Sequence, residues 1–274
     1  MVLSRSSTPK TEFVILSPST SRVRGVFRNV CQDDHVRHKL MAAMQRLRGQ
    51  IYAEDGAIRP NELTWDGRHI SPVDKRSWHV LSVDDNGDVC ACLRYLDESQ
   101  ANRFDDLWVR HAAAAQSPEG LSLRQAVEQE MTQAREQGLR FGEVGGWAVS
   151  KDHRWTLEPL RIILATYGLL QLLGGCVGVA TATFRHSSAS ILRRIGLRPL
   201  CSEGSALPPY YDPNYDCEME LLRFDSRFPE TKYRSAVSEF QKELKSAAVI
   251  SRPQTAPVVR HIPSAFTPSV HSAA

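Results

Sequence analysis

Apolar side chains recur between residues 36 and 51 at the spacing of one helix face. They follow one another at steps of four, four, three and four residues: Val36, Leu40, Met44, Leu47 and Ile51. Such steps match a helix of about 3.6 residues per turn with one apolar side. Asp33 or Asp34 can cap its start, and Asp55-Gly56 marks its end. The pattern predicts an amphipathic helix that packs on a core.

The strongest β signal is a pair of apolar runs, 78–83 and 88–96, on either side of Asp84-Asp85-Asn86-Gly87. Asn-Gly suits the tight turn of a hairpin because both residues tolerate positive φ. Other runs predict strands near 13–16, 23–30, 141–149, 176–184 and 218–224, and helices over 121–137, 156–173 and 187–195. This order predicts an α+β domain with a central mixed sheet of about six to seven strands flanked by helices.

An uncharged run from Ile162 to Phe184 has the length of a membrane span. Gly174-Gly175 interrupts it, and the residues after the glycines are β-branched or Thr-rich, as in a buried strand. We therefore interpret the run as a core helix, a glycine turn and a core strand, with no membrane span.

The two ends of the chain show less pattern than its middle. The Ser/Thr-rich start has no apolar segment, which argues against a secretory signal. Apolar residues at Tyr233, Val237, Phe240 and Leu244 predict a helix that docks on the domain or on a partner, which leaves a homodimer open. The predicted organisation is a flexible lead (1–11), one domain (12–228), an amphipathic helix (229–249) and a disordered Pro-rich tail (250–274).

Composition excludes some classes of function. The net charge of +3 is small, and no dense basic run is present, so we expect no nucleic-acid partner. Six cysteines are scattered along the chain, and no second Cys/His pair at zinc-ligand spacing accompanies Cys90-x-Cys92. We expect reduced thiols in a cytoplasmic protein, with no metal and no tightly bound cofactor.

Three local motifs resemble the GNAT (acyl-CoA N-acyltransferase) superfamily. Residues 182–200 look like its strand, helix and Gly-Phe turn, and the hairpin looks like its second and third strands. Residues 143–149 and the helix after them look like its donor-binding strand and helix. Over residues 12–228 the resemblance implies the GNAT-like fold, and it implies transfer of an acyl group from a thioester to an amine.

The N-terminal half is similar to the autoinducer (acyl-homoserine lactone) synthases and the long-chain N-acyl amino acid synthases. Arg48-x-x-x-Tyr52 resembles their Arg-x-x-x-Phe motif, and a Glu62–Asp66 segment followed by Asp74 resembles their acidic segment. The resemblance implies that Arg48 and Tyr52 border the acyl and acceptor pocket. Asp66 and Asp74 then hold the acceptor's ammonium group, or they are caps of turns.

Two further residues, Arg94 and Glu143, stand where this group keeps an Arg and a Glu. The group also carries an Arg three residues after the Glu, where this chain has Gly146. The phosphate-loop glycines of acetyltransferases are missing from residues 150–154, and Arg193 replaces the Tyr beside their Gly-Phe turn. These departures point away from homoserine lactones and acetyl-CoA, towards a longer acyl thioester of coenzyme A or acyl-carrier protein.

Aminolysis of a thioester needs a group that takes a proton from the amine. Glu143 is our candidate because its apolar strand would raise its pKa by desolvation; a structural salt bridge is the alternative. Gly145-Gly146 predicts a bulge or a close backbone approach, or a mere packing contact. By the resemblance, this strand splays, and its free N–H groups bind the thioester oxygen. By the resemblance, Trp147 and Val149 belong to the same donor-binding strand.

Two other groups complete the predicted site. Lys151 and Arg154 precede a helix N-terminus, where they would hold a donor phosphate or form a solvated loop. Tyr211 precedes the last strand and could protonate the leaving thiolate.

Three functions fit these residues. The first is an N-acyltransferase acting on an amino acid or other small amine. The second is acyl-CoA- or acetyl-CoA-dependent transfer to a protein or polyamine. The third is a non-catalytic GNAT-like module that binds an acyl ligand or serves as a scaffold.

Overall fold

The protein is described by a computed structural model covering residues 11–23, 25–97, 102–118 and 120–253. The predicted lead (1–11) lies outside the described residues, apart from Thr11, which begins the first strand. Most of the predicted tail, residues 254–274, also lies outside them.

The described chain alternates between strands and helices. The strands are β1 (Thr11–Leu16), β2 (Asn29–Gln32), β3 (Trp78–Asp84), β4 (Val89–Asp97), β5 (Arg140–Val149), β6 (Cys176–Thr183), β7 (Arg198–Pro199), β8 (Cys201–Ser202), β9 (Ser205–Ala206), β10 (Tyr210–Asp212), β11 (Cys217–Asp225) and β12 (Ala248–Ser251). The α-helices are α1 (Asp34–Glu54), α2 (Ala113–Gln116), α3 (Gly120–Glu136), α4 (Glu158–Leu172), α5 (Ser188–Ile195) and α6 (Arg234–Ser246).

A large mixed sheet runs in the order β10-β11-β6-β5-β4-β3-β1-β12-β2, with β7 also paired to β11. β5 and β6 are parallel, as are β1, β12 and β2, and the other neighbours are antiparallel. The predicted α+β class is confirmed, but this sheet has ten strands rather than six to seven. Seven of the ten correspond to predicted runs, although β2 begins only at Asn29, near the end of the predicted segment 23–30. The three additional strands, β7, β10 and β12, are two to four residues long, which is too short to show an alternating pattern.

The local signals in the first half match the structure. Asp33 caps α1 by accepting a hydrogen bond from the amide of Val36 at 2.9 Å. Asp55 is the C-terminal cap, as the Asp55-Gly56 pair predicts. β3 and β4 form the predicted antiparallel hairpin, with the Asn-Gly turn between them.

The uncharged run divides as predicted into α4, a turn at Gly174-Gly175, and β6. Eleven residues of α4 are buried, because the sheet covers one side of this helix and α6 covers another. Within the described part of the chain, no helix is both long and apolar enough to cross a membrane.

The C-terminal segment is part of the same sheet. α6 packs on α4, where a Cβ on Gly168 would lie 3.0 Å from the backbone nitrogen of Gln241, and Val237 and Leu244 are buried. The helix therefore docks on its own domain. β12 then enters the sheet between β1 and β2. This corrects two predicted boundaries: the domain extends beyond residue 228, and Ile250 and Ser251 belong to a strand instead of the tail.

Candidate active site

The central cleft opens where two parallel strands separate. β5 and β6 pair from Arg140↔Cys176 to Val144↔Ala180, and their described pairing ends there. β5 continues to Val149 and β6 to Thr183, and both extensions line one cleft of about 450 Å³. Pockets of this size are typical of small-molecule sites.

A bulge in β5 faces this cleft. The register between β4 and β5 shifts between Cys92, which pairs with Ala148, and Arg94, which pairs with Gly145, so the bulge falls at Gly146 and Trp147. Gly146 has a φ of 64°, in the left-handed region that favours glycine. A Cβ there would lie 3.3 Å from the Cβ of Arg94 and 3.4 Å from an Arg48 nitrogen. Gly146 therefore allows two arginines to lie directly beneath the backbone of β5.

The first of these arginines is held by a buried carboxylate. Arg48 donates to both oxygens of Asp74, at 2.9 and 2.7 Å, and both side chains are 1% exposed. Gln45 and the amide of Ser71 add hydrogen bonds to the same carboxylate. Burial opposes both charges, but the close pair lowers the pKa of Asp74 and raises the pKa of Arg48.

Arg94 is less fully satisfied. One terminal nitrogen donates to the Ser71 hydroxyl at 3.3 Å, and the other lies 3.6 Å from Oε1 of Glu143. Its Nε and that second terminal nitrogen find no hydrogen-bond partner among the described residues, although the side chain is 3% exposed. A buried guanidinium with unused donors is costly without an anion. Arg94 lines the cleft, so an anionic ligand could satisfy it.

Glu143 faces the same cleft from β5. Its Oε2 accepts a hydrogen bond from the amide of Trp108 at 2.6 Å, and the residue is 2% exposed. Burial raises the pKa of Glu143, against the opposing effect of Arg94. Glu143 thus has the raised pKa expected of a proton acceptor, and it also has the arginine neighbour expected of the alternative, a structural salt bridge.

Aromatic groups form another wall of the cleft. The Tyr52 ring lies 5.6 Å from His69 and 6.4 Å from Tyr215. Burial lowers the pKa of His69 to about 4 and raises the pKa of Tyr215 to about 12. The wall is therefore uncharged near neutral pH.

Nine of the predicted site residues line the cleft: Arg48, Tyr52, Arg94, Glu143, Gly145, Gly146, Trp147, Val149 and Arg154. Asp74 lies behind Arg48 and makes its contacts with protein groups. The cleft therefore brings together residues that are widely separated in the sequence.

Three predicted residues lie away from the cleft lining. Asp66 pairs with Arg46 and Arg68 in a partly exposed loop. Lys151 is exposed and pairs with Glu54. Tyr211 is 56% exposed, and its hydroxyl contacts Asp216. The geometry does not support the ligand-contacting roles predicted for these three side chains, and the exposed Lys151 matches the alternative of a solvated loop.

The cleft also contains residues that sequence reasoning did not select as site residues. They are Asp55, His69, Ser71, Trp108, Arg185, His186 and Tyr215. Tyr215 lies in the same Tyr-rich segment as Tyr211, in the turn between β10 and β11, and it lines the cleft together with Tyr210. His69 has neither a spacing nor a motif that would identify it.

No group of three or more His, Cys, Asp or Glu side chains within residues 11–23, 25–97, 102–118 and 120–253 could hold a metal ion. The cysteines described there are unpaired, and Cys90, Cys92 and Cys176 are buried.

The chain is similar to known proteins in its fold rather than in its sequence. No family model and no curated protein matches the chain. A CoA-dependent acyl-homoserine lactone synthase, BjaI, solved with SAM and isopentyl-CoA, aligns with a TM-score of 0.55 at 14% identity, over 90% of this chain and 96% of that chain. Another CoA-dependent acyl-homoserine lactone synthase, MesI, aligns with a TM-score of 0.50 at 12% identity, over 89% and 100%.

The fold is that of the acyl-homoserine lactone synthases. The resemblance predicted from motif order is thereby confirmed for the architecture. At 12–14% identity the likeness defines the fold alone, so the chemistry rests on the side chains of the cleft.

Acid should destabilise the buried residues beneath this cleft, because it favours protonation of His79. Burial lowers the pKa of His79 to about 4, and its Nε2 lies 2.9 Å from the carbonyl oxygen of Asp74. An unfolded histidine titrates near about 6.5, so the unfolded chain binds more protons as the pH falls below that value. Stability contributed by neutral His79 is therefore present above about pH 6.5 and lost towards pH 4.

Between about pH 7 and about pH 5, the free energy of unfolding should fall less in His79→Gln than in the unmodified protein. Urea denaturation at several pH values measures this dependence. His38→Gln is the control, because His38 is largely exposed on α1. An unchanged pH slope in His79→Gln would contradict the assignment.

Proposed function

We propose that the protein is an N-acyltransferase that moves an acyl group from a coenzyme A or carrier-protein thioester to the amine of an amino acid or similar small molecule. The observation that carries the proposal is the cleft between the separated strands β5 and β6. Glu143 faces this cleft from the bulged strand β5, and two buried arginines lie beneath that strand. The rest of the site supports each part of this reaction.

The donor would lie along the exposed backbone of β5. Beyond Val144 this strand has no described β6 partner, so its N–H groups on that side are available to a thioester carbonyl oxygen. Arg154 lies beyond the bulge, before α4, where it would contact a donor phosphate. The structures of BjaI and MesI belong to CoA-dependent enzymes, which supports coenzyme A as the carrier.

An acyl chain would occupy the apolar part of the cleft. The apolar side chains there come from α1 and the residues just after it, the 108–112 segment, α5 and β11: Ile51, Ala57, Ile58, Val109, Ala112, Leu192 and Met219. Contact with these groups removes a hydrocarbon chain from water, which favours binding by about 25 cal/mol per Å². This wall supports a donor longer than acetyl.

The amine acceptor would enter beside Arg94 and Glu143. A carboxylate on the acceptor would pair with the Arg94 guanidinium, once a turn of this side chain brings its two buried nitrogens that lack hydrogen bonds to the cleft surface. This places the α-amine near the same end of the cleft as Glu143. An amino acid carries a carboxylate and an amine on the same carbon, which suits two neighbouring groups of opposite charge such as Arg94 and Glu143.

The reaction requires one new bond and one broken bond. The amine nitrogen attacks the thioester carbon, the C–S bond breaks, and the carrier leaves as a thiolate. Glu143 accepts the proton lost by the amine, directly or through water, and its raised pKa suits that task. Tyr215, which lines the cleft, replaces Tyr211 as the proposed proton donor to the thiolate.

Product analysis tests the proposal. The protein is incubated with acyl-CoA and acyl-carrier-protein donors of several chain lengths and a pool of amino acids, and N-acyl products are sought by mass spectrometry. New amides that depend on the protein support the proposal. Thioester binding without consumption, for every amine tried, would favour a non-catalytic module.

Glu143→Gln should retain the fold and reduce turnover about 10²- to 10⁴-fold. The amide oxygen can still accept the hydrogen bond from Trp108, whereas the proton acceptor is lost. Steady-state kinetics measure turnover, and circular dichroism checks the fold.

Asp97→Asn is the matched control, because Asp97 is also a buried carboxylate beside an arginine, Arg140, but does not line the cleft. It should keep the turnover rate. Equal losses in both variants would mean that Glu143 acts only through stability.

A further inference from the structure

A cluster of opposite charges surrounds Asp55 at the mouth of the cleft. Arg154 donates to both carboxylate oxygens of Asp55, at 3.1 and 3.0 Å. Nε2 of His186 lies 3.5 Å from one of these oxygens, and Arg185 donates to the Asp55 backbone carbonyl at 2.7 Å. We call these four residues, Asp55, Arg154, Arg185 and His186, the mouth cluster. All four line the cleft.

The mouth cluster joins segments from different parts of the fold. Asp55 ends α1, Arg154 precedes α4 next to the bulged end of β5, and Arg185 and His186 follow β6. The Asp55 carboxylate therefore lies between the end of α1 and the segments that follow β5 and β6. Its side chain is 21% exposed, so it contacts solvent while remaining paired.

The two arginines of the cluster also make hydrogen bonds to residues other than Asp55. Arg154 also donates through Nε to the carbonyl of Val149, and Arg185 donates to the backbone of Asp216. His186 adopts a φ of 57°. A left-handed conformation in a residue other than glycine is strained and is retained where the surrounding structure enforces it. Arg154 thus forms an anion-binding group that an internal carboxylate occupies, and Arg185 lies next to it, hydrogen-bonded to the Asp55 carbonyl.

A donor phosphate that reaches Arg154 has to compete with this carboxylate. We infer that Asp55 is a counter-anion built into the donor site, where it competes with the donor's phosphate for Arg154. Donors whose binding depends strongly on phosphate are therefore weakened more than donors whose binding does not. The inference rests on the proposed function, since it assumes a phosphate-bearing donor. A donor that carries no phosphate leaves the Asp55–Arg154 pair intact and is bound without this competition.

Asp55→Asn tests the inference because asparagine keeps the shape and removes the charge. The probes are coenzyme A, which carries phosphates, and a phosphate-free S-acyl pantetheine, with binding measured by calorimetry. The variant should bind coenzyme A about two- to fivefold more tightly than the unmodified protein, with little change for the acyl pantetheine. The gain should shrink as salt is raised, because salt screens partly exposed charges.

Three further variants make the result specific. Glu130→Gln is the matched control, since Glu130 pairs with Arg223 at 2.8 Å in a similarly exposed position, and neither residue lines the cleft. It should leave both affinities unchanged. Arg154→Gln should weaken coenzyme A binding and spare the acyl pantetheine. Asp55→Ser replaces Asp55→Asn should the latter not fold.

The possible outcomes are distinct. Weaker or unchanged coenzyme A binding in Asp55→Asn overturns the inference, because Asp55 would then order the cations rather than compete for them. Weaker binding of both probes identifies a purely structural clamp and overturns it as well. Binding of coenzyme A to the unmodified protein without any acyl transfer rejects the proposed function alone. No binding to either protein rejects both.

Discussion

Replacing Asp74 with alanine should lower the free energy of unfolding by about 3–5 kcal/mol. The substitution leaves the Arg48 guanidinium, 1% exposed, without the carboxylate that accepts two of its hydrogen bonds. An uncompensated buried charge is among the largest penalties that a single substitution produces. Gln45 and the amide of Ser71 lose an acceptor in the same step.

Urea denaturation of Asp74→Ala and of the unmodified protein measures this loss. Asp105→Ala is the control, because Asp105 pairs with Arg124 at the surface, where about 0–1 kcal/mol is expected. The lowered pKa of Asp74 adds a second signature. The stability that ionised Asp74 contributes is present above the unfolded pKa of about 3.9, and it is lost as the pH falls through the lower pKa of Asp74 in the folded protein. A loss no larger than that of Asp105→Ala would refute the role of the buried pair.

Replacing Arg94 with glutamine should reduce kcat/KM for an amino-acid acceptor by about 10²-fold or more. The proposed contact is a buried guanidinium–carboxylate pair, and loss of one partner of such a pair costs about 2–5 kcal/mol. We expect the change mainly in KM for the acceptor, because Arg94 would bind the carboxylate rather than the reacting atoms. Donor affinity should change little.

The acceptor itself provides the sharpest comparison. An amine that lacks the carboxylate should be a poor substrate of the unmodified protein and equally poor for Arg94→Gln. Arg124→Gln, at an exposed arginine, controls for loss of positive charge. If Arg94→Gln slowed both acceptors by the same factor, Arg94 would support Glu143 and not the acceptor carboxylate.

Signals that depend on neighbouring residues could be predicted from the sequence. The Asn-Gly turn defined the β3–β4 hairpin, and Asp33 and Asp55 defined the ends of α1. The glycine pair in β5 predicted the bulge because glycine weakens a strand interior and is typical of places where the backbone bulges. These features follow from local stereochemistry, which the sequence carries directly.

Signals that depend on distant contacts could not be predicted in this way. Asp55 and Arg154 are 99 residues apart, and neither spacing nor composition indicates that they pair. The choice between Tyr211 and Tyr215 depends on a turn whose register is set by pairing of β10 with β11. β12 was missed because four residues after a helix show no distinguishing period.

The position of β12 has a consequence for how the chain is made. Val14 and Ile15 pair with Ala248 and Val249, residues that leave the ribosome more than two hundred positions later. Until then, one edge of β1 stays open and β2 has no described neighbour to hold it in the sheet. Contacts of such long separation form slowly and leave strand edges exposed to other chains in the meantime. The earliest part of the sheet to be synthesised is thus among the last to be closed.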